Sequence, residues 1–173
     1  MFSKILIKLI DEAIVPAVLL VSARVLGSIF VIKYTGIQFE EKSTFLTLYF
    51  SNHTDFLTVN SYSSLIMYGV VFAGGLFFLL KSRIFHDSHV TPVVAAKMFS
   101  LKLGNFIQSS FDVYSEGTIW LSYSYLMTII LSVQYYFKLV YGWVFVLSLA
   151  LSVLLTLILV SDVERELEIN TNE

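Results

Sequence analysis

The stretch from Thr118 to Val160 carries a single charged side chain, Lys138, and it constrains the fold more than any other part of the chain. As one straight helix it would be about 65 Å long, roughly twice the ~30 Å hydrocarbon core of a bilayer. The stretch must therefore fold back on itself. Aromatic side chains of the kind that lie at headgroup level place the turn between residues 136 and 142; they are Tyr135, Tyr136, Phe137, Tyr141 and Trp143.

Four stretches are long and apolar enough to cross a membrane: 13–32, 62–80, 118–135 and 142–160. Hydrophobic residues make up 57% of the 173 residues and charged residues only 14%, against about 25% charged in an average soluble domain. The sequence therefore predicts an all-α integral membrane protein with four transmembrane helices. Residues 1–173 would form a single polytopic membrane domain, with the lipid bilayer as its first partner.

The connection between the second and third spans has an amphipathic pattern over residues 92–113. Thr91 and Pro92 suit an N-cap and a first helical position. This pattern predicts an interfacial helix, whose apolar face could lie in lipid or dock on another protein; the pattern does not decide between the two. Residues 161–173 are predicted to be an acidic cytoplasmic tail.

Basic residues indicate the orientation, because cytoplasmic loops are enriched in Lys and Arg. With both termini inside, seven basic residues lie on the cytoplasmic side and three lie in outer connections, including a predicted outer loop over residues 33–61. We therefore expect cytoplasmic N and C termini in a cell or inner membrane. The inner set is Lys4, Lys8, Lys81, Arg83, Lys97, Lys102 and Arg165, and the outer set is Lys33, Lys42 and Lys138.

One charged side chain, Arg24, lies inside a predicted span. A charge at membrane depth costs a few kcal/mol and is by default a candidate functional group. Counting residues from the span ends places it level with hydroxyl groups and with no carboxylate. Because an arginine can only donate, this predicts a structural hub, or an anion or lipid-phosphate contact, rather than a proton relay. The predicted hub consists of Arg24, Tyr68, Tyr123, Tyr125 and Ser148.

His86, Asp87 and His89 are weak candidates for a metal site. A structural zinc needs four ligands and a catalytic zinc three, so two imidazoles and one carboxylate are too few for a confident assignment. We expect no metal and no cofactor. The chain has no cysteine, and a net charge of -2 gives no general attraction for nucleic acid.

No nucleophile or phosphate-loop motif occurs in the sequence, so an enzyme is not expected. The pattern favours a non-catalytic multi-pass protein, an accessory or scaffold subunit of a larger membrane complex that associates with other membrane subunits or with itself. The alternative is a small transporter or channel that acts as an oligomer, with Arg24 lining an anion or lipid-headgroup path.

Overall fold

The computed structural model describes residues 10, 14–38, 48–85, 90–103 and 110–171, and this part of the chain is helical, with no strand. The all-α prediction is confirmed for these residues. In chain order the helices are α1, Val15–Thr35; α2, His53–Phe85; α3, Pro92–Ser100; α4, Ser110–Tyr136; and α5, Gly142–Thr171.

Three of the helices are long and apolar enough to cross a membrane: α1, residues 53–81 of α2, and residues 142–164 of α5. They indicate a membrane-embedded protein. The remaining long helix, α4, has 27 residues but a lower apolar content, because serine, threonine, tyrosine and glutamine occur along it.

The turn between α4 and α5 falls where the sequence predicts it, with α4 ending at Tyr136 and α5 beginning at Gly142. The end of α4 is a reversed turn in which Lys138 has a φ of 56°. The Lys138 N–H donates to the Tyr135 carbonyl at 2.9 Å, and the Leu139 N–H donates to the Gln134 carbonyl at 2.8 Å. This paired bonding is the Schellman motif, which caps the last carbonyls of a helix.

The predicted interfacial helix extends too far, because α3 ends at Ser100 rather than near residue 113. The same capping motif ends it: Lys102 has a φ of 58°, and the Leu103 N–H donates to the Met98 carbonyl at 2.8 Å. Residues 104–109 lie outside the described part, and residues 110–113 already belong to α4. The amphipathic pattern continues past this break, because the spacing of apolar side chains does not indicate where a backbone cap ends the helix.

Helix α2 begins at His53, nine residues before the predicted second span over 62–80. The additional turns carry polar side chains with partners elsewhere in the fold. Thr58 bonds the Tyr141 hydroxyl at 3.1 Å, and Asn60 donates to the Leu139 carbonyl at 2.6 Å. Hydropathy does not register such partners, so the loop predicted over 33–61 is wrong from residue 53 onward.

Helices α2, α4 and α5 form a three-helix bundle, and α1 packs along α2. Ser61 of α2 bonds Tyr141, which directly precedes α5, and Tyr68 bonds Ser148 of α5; both pairs are 80 residues apart, so these helices run parallel. Helix α4 runs antiparallel to both. The core cluster of buried side chains comprises Leu20, Tyr68, Val71, Trp120, Met127, Leu131, Val140 and Val144.

Helix α1 also runs parallel to α2. A Cβ built on Gly27 would lie 3.3 Å from Ile66, and Arg24 bonds Ser63, so both pairs are 39 residues apart. In an antiparallel pair with the same Gly27 contact, Arg24 would lie level with residue 69, about 13 Å along the axis from Asn60. A guanidinium extends only about 7 Å from its Cα, yet it bonds Asn60.

The parallel direction alters the predicted topology. Helices α1 and α2 begin at the same end of the bundle, whereas alternating spans would begin at opposite ends. The end of α1 at Thr35 is level with about residue 74 of α2, about 30 Å along the axis from the start of α2 at His53. Residues 36–52 are long enough to join these two points, since an extended chain of that length reaches about 56 Å. Consecutive helices that cross a membrane completely run antiparallel whatever the length of the connection between them, because an irregular segment with unpaired backbone groups does not cross lipid.

Candidate functional site

The structure separates the predicted hub into two polar clusters. The Arg24 cluster, consisting of Arg24, Asn60, Ser63 and Ser64, joins α1 to α2. The Tyr68 cluster, consisting of Tyr68, Ser124, Thr128, Ser148 and Ser152, joins α2, α4 and α5. The two clusters begin one helical turn apart on α2, at Ser64 and Tyr68.

In the Arg24 cluster the guanidinium donates only to neutral oxygens in the bonds described for it. The two Nη1 hydrogens of the guanidinium are shared among three acceptors, the Asn60 carbonyl at 2.9 Å and the hydroxyls of Ser63 and Ser64 at 2.5 and 2.7 Å. Its Nη2 donates to the Asn60 side-chain oxygen. Asn60 is only 7% exposed and both serines are fully buried, so the acceptors are held in place by the packing around α2.

The Arg24 cluster continues directly into the turn between α4 and α5. Asn60, which accepts from Arg24, donates through its side-chain nitrogen to the Leu139 carbonyl. The Tyr141 N–H donates to the Ser61 hydroxyl at 2.9 Å. The guanidinium is therefore one side chain away from the end of the bundle, closer to that end than residue counting from the span ends predicts.

The Tyr68 cluster lies in the middle of the three-helix bundle, and every member of it is buried. The Tyr68 hydroxyl donates to the Ser148 carbonyl at 2.8 Å and bonds the hydroxyls of Ser124 and Ser152 at 3.0 and 2.8 Å. Thr128 bonds Ser152 at 2.9 Å and donates to the Ser124 carbonyl. The hydroxyls thus satisfy one another, as buried polar groups must to avoid a desolvation cost.

The other predicted site residues have separate places. Tyr125 bonds Thr156 at 2.8 Å on the exposed side of the α4 and α5 pair, and Tyr123 is half-buried against the core. Ser148 takes part through its carbonyl, while its own hydroxyl donates to Phe145. The metal candidates His86, Asp87 and His89 lie outside the described residues.

Sequence reasoning missed most of the members that hold these clusters together, and a spacing signal was available for them. Polar residues recur four apart, which places them on one helix face. Such a face inside an otherwise apolar helix indicates a polar contact with a neighbouring helix. The recurrences are Asn60, Ser64 and Tyr68 on α2, Ser124 and Thr128 on α4, and Ser148 and Ser152 on α5.

Comparisons of the chain with protein-family models, with curated proteins and with solved structures find no match. Within the described ranges no group of three His, Asp or Glu side chains is placed to hold a metal ion. What these two clusters do is therefore inferred from their own geometry and chemistry.

Proposed function

We propose that this chain is a non-catalytic accessory or scaffold subunit of a larger membrane complex. The observation that carries the proposal is the closure of the Tyr68 cluster. Its hydroxyls bond one another and backbone carbonyls in the fully buried centre of the bundle. A polar cluster whose groups are used up internally holds helices together, and it offers no free group to a substrate.

Helix α4 is proposed to cross the membrane together with α2 and α5. Its polar side chains Ser124 and Thr128 are buried inside the bundle. Its exposed positions include Leu126, Ile129 and Val133, which are 50%, 60% and 51% exposed and suit contact with lipid. The mean polarity of α4 therefore understates how apolar its outer face is, because its polar side chains are satisfied internally.

Helix α1 is proposed to be embedded beside α2, starting from the end where α2 begins, without crossing completely, because residues 36–52 would otherwise have to cross the membrane as well. Basic residues near the α3 end of the bundle, among them Lys81, Lys97 and Lys102, favour that end as cytoplasmic. The C terminus then stays cytoplasmic, as the sequence predicts. The N terminus moves to the opposite side, because α1 starts at the end where α2 begins and adds no complete crossing to those of α2, α4 and α5.

The transporter alternative has less support. Fully buried side chains fill the centre of the bundle, including Tyr68, Val71, Leu131 and Val144. Both Nη atoms of Arg24 bond α2, near one end of the bundle. An anion path lined by Arg24 would have to run between subunits of an oligomer.

The test is purification from the source membrane in mild detergent, followed by native mass spectrometry. An accessory subunit is expected to co-purify with other membrane proteins at fixed stoichiometry. Ion flux in proteoliposomes addresses the alternative. A preparation that contains only copies of this chain, and whose flux disappears on Arg24→Ala, would contradict the proposal.

A further inference from the structure

We propose that Arg24 binds the phosphate group of a membrane lipid through the edge of its guanidinium formed by Nε and Nη2. The first observation is which of the N–H donors of Arg24 already have an acceptor. A guanidinium has five N–H donors in a fixed fork. Nη1 and Nη2 both bond Asn60, so the edge between these two atoms faces α2. Among the described residues neither Nε nor the second hydrogen of Nη2 has an acceptor.

The remaining Nε and Nη2 donors are parallel, and parallel donors match two oxygens of one oxyanion. Bidentate pairing with phosphate or carboxylate is the interaction for which an arginine fork is best suited. The buried acceptors Asn60, Ser63 and Ser64 fix the fork, while Arg24 itself stays partly exposed. An oxyanion can therefore approach a guanidinium whose geometry is already set.

The second observation is the depth of the cluster. Asn60 connects Arg24 to the turn between α4 and α5, which is flanked by exposed aromatic side chains. Tyr62 packs edge-on against Trp143 with ring centroids 5.8 Å apart, and both rings are about half exposed. Exposed Tyr and Trp mark the headgroup level of a membrane protein. Arg24 lies at the level of these rings, where the phosphates of lipids are found.

The third observation is charge. All the acceptors described for Arg24 are neutral, so they orient the guanidinium without neutralising it. A cation that is partly desolvated is stabilised by a paired anion, and at headgroup level the abundant anion is a lipid phosphate. The inference is independent of the accessory role proposed above, since a scaffold and a transporter could both hold a lipid here.

The experiment measures lipid retention on the full chain by native mass spectrometry, with dioleoylphosphatidylglycerol as the probe and dioleoylglycerol, which lacks the phosphate, as its counterpart. We expect one retained phosphatidylglycerol and little dioleoylglycerol. Arg24→Gln should weaken retention about tenfold or more, given the strength of charge-assisted hydrogen bonds. The matched control is Lys138→Gln, which removes an exposed cation at the same end of the bundle and should leave retention unchanged.

A second measurement needs no substitution at Arg24. The chain has three arginines, at positions 24, 83 and 165, so their Nε–H resonances can be assigned with Arg83→Lys and Arg165→Lys. Titrating phosphatidylglycerol into the protein should shift the Arg24 resonance, and inorganic phosphate at equal concentration should not. The same shift with inorganic phosphate would overturn the lipid assignment in favour of a free anion.

Equal loss of retention in Arg24→Gln and Lys138→Gln would also overturn the proposal, since it would reflect only general charge attraction. Retention of dioleoylglycerol as strong as that of phosphatidylglycerol would show that the acyl chains alone bind.

Discussion

Two glycines of α2 have opposite surroundings although they are only five residues apart. A Cβ built on Gly74 would lie 2.4 Å from the ring of Trp120, so the close packing of α2 on α4 depends on the missing side chain. A Cβ on Gly69 would meet nothing within 4 Å. The same substitution at the two positions therefore separates packing from helix propensity.

We expect Gly74→Ala to destabilise the bundle by about 1–3 kcal/mol, because the aromatic ring must shift within a packed core. Gly69→Ala should be neutral or stabilising by up to about 1 kcal/mol, since alanine is the better helix former. The measurement is the free energy of unfolding in micelles by denaturant titration. Equal effects of the two substitutions would contradict the packing of Trp120 on Gly74.

The Tyr68 hydroxyl has three buried partners, whereas the Tyr125 hydroxyl bonds Thr156 at the exposed surface. We expect Tyr68→Phe to cost about 1–2 kcal/mol, because buried oxygens lose their donor. Tyr125→Phe is the matched control and should cost less than about 0.5 kcal/mol, as surface substitutions usually do. A larger loss in the control, measured by the same unfolding titration, would show that the buried cluster is not the dominant polar contact.

At the scale of the element, the helix ends depend on two lysines with left-handed backbone, Lys102 after α3 and Lys138 after α4. Side chains with a Cβ adopt this conformation at a cost of about 1–2 kcal/mol, and glycine avoids most of it. The lysine after α4 is exposed and sits in the tight connection to α5. Its exposed side chain therefore does not contribute to packing, whereas its left-handed backbone is what reverses the chain into α5.

Lys138→Gly should stabilise the protein by up to about 1 kcal/mol, the relief of the left-handed backbone less the greater freedom of glycine in the unfolded chain. Lys138→Ala keeps a Cβ and should leave the free energy of unfolding nearly unchanged. Thermal unfolding in detergent distinguishes the two. Stabilisation by alanine as large as that by glycine would point to removal of the charge, and not to the backbone, as the cause.

The sequence predicts elements well where one local signal decides them. The turn at 136–142 follows from length and aromatic residues, and the helical class follows from four apolar stretches. The start of α2 could not be predicted, because Thr58 and Asn60 are polar and their partners Tyr141 and Leu139 lie about 80 residues away. The depth of the guanidinium was missed for the same reason, since its partners belong to another helix.

At the scale of the whole molecule, the direction of α1 decides the topology. No local property of α1 reports its direction, since a helix is equally apolar whichever way it runs. The direction follows only from contacts, namely Gly27 with Ile66 and Arg24 with Asn60, Ser63 and Ser64. These contacts place the start of α1 at the end where α2 and α5 begin.

The parallel arrangement predicts that the two termini lie on opposite sides of the membrane. Tags placed before α1 and after α5 should differ in accessibility to a protease added to sealed cells or vesicles. With the α3 end cytoplasmic, the tag before α1 is the one that is cleaved from outside. Protection of both tags would restore the topology in which α1 and α2 alternate.

The most direct test of the parallel packing of α1 on α2 is disulfide cross-linking in the membrane, which is open to design because the chain has no cysteine of its own. Gly27→Cys with Ile66→Cys serves as the reference pair, since a disulfide requires Cβ atoms about 3.5–4.5 Å apart. Parallel packing places Val31 level with Val70, and antiparallel packing through the same contact places it level with Tyr62. We predict that Val31→Cys cross-links with Val70→Cys and not with Tyr62→Cys; a cross-link to position 62 instead of 70 would contradict the account.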